Sequence, residues 1–265
     1  MSVRGFLSGA IFASALTFAV TPAFAGKIYI SGQDSDDNGH VSVSYGSQML
    51  GFVGTGNTNG GSGILMLGGY TSTSGSIINS WNAGPGYTLT AASGAGAIAS
   101  ANFASFAGIF MASSDTNTVG GISQSELNAI NARAADIATF VNAGGNLMAL
   151  TQEGLSGSFG WFPLGALTTA SIGTTNISQT AALSAAGFTA TNAEIAGDLF
   201  HNEFTGPSGF YGLSVLAVNN GSSQAVIIGG GASTQIITAA PEPASLAIIG
   251  VGMAGLGLIR RRRAA

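Results

Sequence analysis

The sequence predicts an α/β fold: a mostly parallel, doubly wound sheet with an antiparallel edge hairpin, followed by a C-terminal transmembrane helix. Three observations carry this expectation. Short apolar runs bounded by glycines and polar loops recur at 27–30, 63–67, 106–112 and 146–150, with the length and setting of buried strands. A capped amphipathic segment over 123–142 joins the last two, giving a βαβ unit, which connects parallel strands by a right-handed crossover. Two apolar runs, 213–218 and 225–228, flank Asn219-Asn220-Gly221, a hairpin signal.

Taken in order, the run Lys27-Ile28-Tyr29-Ile30 reads as a first strand ending in a polar loop over 31–40. The run at 63–67 precedes Gly68-Gly69 and reads as a second, 87–89 as a third and 106–112 as a fourth. Ser123 and Glu126 stand three apart at the start of the long helix. That spacing forms a capping box, the serine accepting from the N3 amide while the glutamate reaches back. Leu127, Ile130, Ala134, Ile137 and Val141 then recur at the three-to-four spacing of one buried face, and Gly144-Gly145 supplies the stop. The stretch 155–200 is weakly patterned, with a helix expected near 178–187.

The charges cluster at the ends. Arg4 lies in the first segment and Arg260, Arg261, Arg262 and Arg263 in the last, which leaves 26–240 with Lys27 and Arg133 against ten acids. A body so poor in cations cannot neutralise many phosphates, which argues against a nucleic-acid partner. The chain has no cysteine, excluding disulfides, thiolate metal sites and a cysteine nucleophile.

Residues 1–25 have the parts of a secretory signal peptide: Arg4, an apolar stretch over 5–20, Pro22, and the small-x-small pattern Ala23-Phe24-Ala25. The expected domains are therefore a signal peptide at 1–25, cut by signal peptidase before Gly26 with Ala23 and Ala25 as the recognised small residues, an extracytoplasmic α/β domain at 26–240, and a tail at 241–265. The tail reads Pro241-Glu242-Pro243, an apolar run over 246–259, then the four arginines. A helix over 244–259 would reach roughly 24 Å, short of the roughly 30 Å hydrocarbon core, and its glycines weaken it further. The arginines would stay on the cytoplasmic side with the body outside.

Those residues resemble the PEP-CTERM sorting signal. The resemblance implies an exosortase that cuts near Pro241, Glu242 and Pro243, a precursor held transiently in the inner membrane, and delivery to the surface or exopolysaccharide matrix of a Gram-negative bacterium. The same tail is carried by unrelated bodies, so it is an address and not an activity.

For the body, the run from Gly120-Gly121 through Ser123 and Glu126 to Gly144-Gly145 and 146–150 is similar to a segment of class I glutamine-amidotransferase-like and flavodoxin-like domains, in which the strand feeds a nucleophile loop. His201-Asn202-Glu203 is similar to the His-x-Glu pair of that superfamily. The loop that follows here, Thr151-Gln152-Glu153-Gly154-Leu155-Ser156, departs from the pattern because it has no cysteine.

In a doubly wound sheet ligands gather at the C-terminal ends of the strands. This makes 34–40 and 151–156 the loops of interest. Asp34, Asp36 and Asn38 with Gly39 match the first half of a Ca²⁺ loop, although Tyr45 stands where a bidentate glutamate is needed and no helix precedes. The competing reading is a solvated acidic turn. His201, Glu203, Glu153 and Ser156 are the candidates for hydrolysis, but the surroundings of Ser156 are not a nucleophile elbow. Trp81, Tyr87, Phe159, Trp161 and Phe162 form either core or a sugar-stacking surface. The preferred function is a non-catalytic binding or structural role with no cofactor beyond a possible Ca²⁺. The alternatives are a hydrolase using His201 and Glu203 with a serine or metal, and a Gly-rich β-solenoid adhesin or ice-binding surface. A solenoid needs a repeat period, and none is found.

Overall fold

The computed structural model describes residues 26–70, 72–197 and 199–231. The leader at 1–25, the tail helix and the arginine cluster lie outside these residues. Among the described residues no helix is long and apolar enough to cross a membrane.

Among the described residues ten strands form one sheet. They are β1 (Lys27–Ser31), β2 (Ile64–Leu67), β3 (Leu89–Ala92), β4 (Gly108–Met111), β5 (Asn146–Ala149), β6 (Thr168–Thr174), β7 (Ile177–Gln179), β8 (Phe200–Gly206), β9 (Ser214–Asn219) and β10 (Ala225–Gly231). Seven α-helices among the described residues join them: α1 (Val43–Gly54), α2 (Ser72–Asn82), α3 (Ala95–Ser100), α4 (Gln124–Asn131), α5 (Ala134–Asn142), α6 (Ala181–Ala185) and α7 (Asn192–Ile195). The main path runs β3-β2-β4-β5-β1-β10-β8-β6. The first five are parallel neighbours and the rest pair antiparallel.

Strands β2, β4 and β5 are buried at every residue, as strands covered on both faces must be. The connections explain the cover. From β1 to β2 and from β2 to β3 the chain moves toward one edge; from β3 to β4 and from β4 to β5 it moves back. Right-handed crossovers in opposite directions lie on opposite faces. Accordingly α1 packs on α2, while α3 packs on α4. This is double winding, as the sequence predicts.

The antiparallel part is larger than an edge hairpin and starts in mid-sheet. The hairpin β9–β10 forms where Asn219-Asn220-Gly221 predicts it, but β10 lies between β1 and β8 on the main path. The sheet forks there, one branch continuing through β8 and β6, the other through β9 and β7. Strand β1 buries four of its five residues, and pairing on both sides, with β5 and with β10, satisfies its backbone.

The long helix is broken in two. Its capping box at Ser123 and Glu126 is formed, but the backbone leaves helical geometry at Arg133 before α5 resumes. The Arg133 guanidinium donates to the carbonyls of Ile98 and Ala101 and to Asp136, and lies 3.8 Å from the centre of the Phe103 ring. The apolar face continues across the break, since Leu127, Ile130, Ile137 and Val141 are all buried. The helix expected near 178–187 is β7 followed by the short α6.

Candidate functional site

The polar groups converge beyond the C-terminal ends of β1 and β5 and at the start of β8. Two hydrogen-bonded turns follow β1, Asp37 N–H to Asp34 C=O at 2.9 Å and His40 N–H to Asp37 C=O at 3.5 Å. Successive three-residue turns put every third side chain on one side. Asp34, Asp37 and His40 therefore meet, each offering a ligand atom within 4.8 Å of the others. His40 Nδ1 donates to Asp34 Oδ1 at 2.9 Å, and His40 Nε2 lies 3.7 Å from Asp37 Oδ2.

His201 completes the group from across the sheet. The N–H groups of His201 and Asn202 both donate to the carbonyl of Gly32, at 2.8 and 3.0 Å. That approach is closed to any side chain at 32, because a Cβ there would stand 1.9 Å from the Asn202 oxygen. The glycine thus brings β8 against the β1 exit. His201 Nε2 lies 3.3 Å from Asp34 Oδ2, and its Nδ1 lies 3.2 Å from Glu153 Oε2. Glu153 is held by its own backbone: its carbonyl accepts from Ser114 and Thr116, each at 2.7 Å, and its N–H donates to Thr151 Oγ1.

Electrostatics follow from this packing. Asp34 is nearly buried, at 2% exposure. Burial alone would raise its pKa, but hydrogen bonds and charge from His201 and His40 prevail and hold it below the ordinary carboxylate range. The hydrogen bond with Asp34 raises the pKa of His201 above the usual imidazole value; burial opposes, and the charges of Asp34 and Glu153 add to the rise.

Asp36 goes elsewhere. Its Oδ2 accepts from Ser74 Oγ at 2.6 Å and from the Ser113 N–H at 3.2 Å. Ser74 lies in the first turn of α2, after β2, and Ser113 follows β4; between these strands the connections diverge. That is the crevice in which doubly wound folds hold ligands, and here the chain's own carboxylate occupies it. Burial pushes the Asp36 pKa up, partly offset by those bonds.

The sequence-predicted residues thus separate into groups. Asp34, Glu153 and His201 are brought together. Asp36 is buried at the crevice, and Asn38 is exposed with its N–H on Asp37 Oδ1. The half-loop spacing 34, 36, 38 therefore does not converge, whereas 34, 37, 40 does. Tyr45 is buried in α1, hydrogen-bonded to Tyr29. Glu203 turns away from His201 to accept from Asn219 Nδ2 at 2.9 Å and Ser222 Oγ at 2.5 Å. Ser156 is exposed and tied through its backbone to Gln124. Trp81, Phe159, Trp161 and Phe162 are buried core, so they offer no sugar-stacking face. Asp37 and His40 were not singled out from the sequence. The repeat Asp34-x-x-Asp37-x-x-His40 is the signal that finds them.

The chain matches the PEP-CTERM protein-sorting motif over residues 239–263. No curated protein and no solved structure matches it, and the amidotransferase-like resemblance of the body gains no support from these comparisons. The motif implies export and sorting to the cell surface by exosortase.

Proposed function

We propose that this exosortase-sorted protein carries a binding module to the cell surface or exopolysaccharide matrix, and that the cluster of Asp34, Asp37, His40, Glu153 and His201 is its ligand face. The leader at 1–25 is removed by signal peptidase, and the tail is cut near Pro241, Glu242 and Pro243.

The observation that carries this reading is the environment of His201. A general base for serine attack needs one nitrogen free to take a proton while the other is oriented by a carboxylate. His201 has a carboxylate against each nitrogen, 3.3 and 3.2 Å away, and its raised pKa favours imidazolium. Glu203, the orienter a hydrolase would use, is engaged with Asn219 and Ser222. A histidine held between two carboxylates, with no nitrogen left to face a nucleophile, is a structural or ligand-positioning group.

The test is to assay the full chain and its His201→Ala variant against a panel of esters and amides. The binding reading expects equal background rates for both. A turnover by the wild type that His201→Ala abolishes, with the fold retained by circular dichroism, would establish the hydrolase instead.

A further inference from the structure

We infer that the rim at the N-terminal ends of the parallel strands is the face this protein turns to an anionic phospholipid surface while its tail is anchored, so that the cluster around His201 is directed away from the bilayer. The inference rests on the reading of 241–265 as a membrane-held sorting tail, and adds to it an orientation and a partner surface.

The first observation is where the two ends of the body lie. Strand β1 begins where β10 ends, since Lys27 pairs with Gly231. Gly26 is fixed at the same corner: its N–H donates to the Val141 carbonyl at 2.8 Å, and a Cβ on it would stand 1.8 Å from the Gly145 oxygen. The segments before Gly26 and after Gly231 therefore join the body at one corner of the N-terminal rim. Asp34, Glu153 and His201 meet at the other rim, past the ends of β1 and β5.

The second is the reach of the link. Twelve residues, 232–243, separate Gly231 from Ala244, where the tail helix is expected to begin. Even fully extended they reach about 40 Å. A folded body of this size is roughly 40 Å across, so the far rim meets the bilayer only with the whole link stretched along the body's flank. Stretching a chain to its limit removes most of its conformations. The N-terminal rim meets the bilayer without it.

The third is charge. The loops that enter the parallel strands at the N-terminal rim, 55–63, 83–88, 101–107 and 143–145, hold no charged residue. Lys27 stands among them, partly buried over the Phe52 ring. Acids gather at the opposite rim: Asp34, Asp36 and Asp37 follow β1, Asp115 follows β4 and Glu153 follows β5. Glu126 joins them beside the β3 exit, accepting from the Gly94 N–H. Asp136 in α5 is paired with Arg133. Anionic headgroups repel a carboxylate rim that comes within a Debye length, about 8–10 Å, and admit a neutral rim bearing one cation.

The experiment uses the full chain, whose lack of cysteine lets one label be placed at a time. Thr58→Cys at the N-terminal rim and Ser156→Cys at the other are at exposed positions. Each carries a fluorophore and is reconstituted into vesicles of phosphatidylcholine and phosphatidylglycerol containing a headgroup-linked nitroxide quencher. Quenching is read on chains that float with the vesicles and keep the wild-type circular dichroism. Ala104→Cys and Asn38→Cys, exposed at the same two rims, repeat the comparison where a first variant fails to fold. The label at Thr58 should be quenched several-fold more than that at Ser156, and the difference should shrink in phosphatidylcholine alone. Equal or greater quenching at Ser156 on a floated, folded chain would overturn the orientation and leave the tail reading intact. An identical difference without phosphatidylglycerol would overturn the part assigned to charge. A chain that does not float with the vesicles would sink the membrane-held tail, and the orientation with it.

Discussion

At the scale of single residues, Asp34 and His201 are coupled by opposite pKa shifts, and each has a definite sign for stability. Asp34 is depressed in the folded state, so its contribution is present above the unfolded value of about 3.8 and is lost as pH falls through the folded pKa. His201 is raised, so its contribution is complete below about 6.5 and is lost as pH rises through its folded pKa. The protein should therefore lose urea resistance on both sides of a mildly acidic optimum. In His201→Gln the alkaline loss should flatten while the acid limb remains; an unchanged alkaline slope would mean that other groups set it. Gly32 is the other residue on which the site depends. Gly32→Ala places a methyl against the Asn202 carbonyl. It should lower stability by at least about 1–3 kcal/mol, measured by denaturant unfolding, because the backbone pairing of β8 with the β1 exit must give way.

At the scale of elements, those with apolar patterning were legible in the sequence, and those built from small residues were not. Strands β1, β2, β4 and β5 and the hairpin β9–β10 lie within three residues of their expected bounds, because each is an apolar run with a turn signal. Helix α1 went unread. Its sequence, VSYGSQMLGFVG, carries glycines that lower helix propensity. Gly46 is needed there, since a Cβ would stand 2.3 Å from the Trp81 ring of α2. Tertiary packing of two helices thus overrides propensity. Strand β6, TTASIGT, has no buried residue and so no buried face to impose an alternation. The site was half legible for a similar reason. Acids two apart resemble a calcium half-loop, but two successive turns select every third residue, and backbone turns leave little trace in composition. The capping box was readable because it is local. Ser123→Ala should cost about 0.5–2 kcal/mol, and Glu126, which also accepts from the Gly94 N–H at 2.7 Å, ties that cap to the loop before α3. A Ser123→Ala variant of unchanged denaturation midpoint would show the cap to be redundant.

At the scale of the whole molecule, the chain divides by task. The charge distribution places most of the arginines in the terminal segments and leaves an acidic body between them. A convergence of polar groups sits at one rim of the sheet, where β1 and β5 end and β8 begins. Double winding brings it there: the crossover from β1 passes over β5 and β4 to reach β2, so the loop after β1 must run along the carboxyl ends of its neighbours. Asp36 fills the crevice on the way, and Asp34, Asp37 and His40 remain beside it. The sorting motif at 239–263 acts on this body as an address, independent of what the body does. A chain ending at Ala240 should accordingly keep its far-ultraviolet spectrum and unfolding midpoint while failing to reach the surface.

Intact mass spectrometry of the protein recovered from the cell surface and matrix of the producing cells tests this division most directly. The predicted mass is that of a body lacking both the leader and the residues beyond the Pro241-Glu242-Pro243 motif, and deletion of the exosortase should leave the tail attached in the membrane fraction. Surface protein that retains the arginine cluster, or processing that persists without the exosortase, would contradict it.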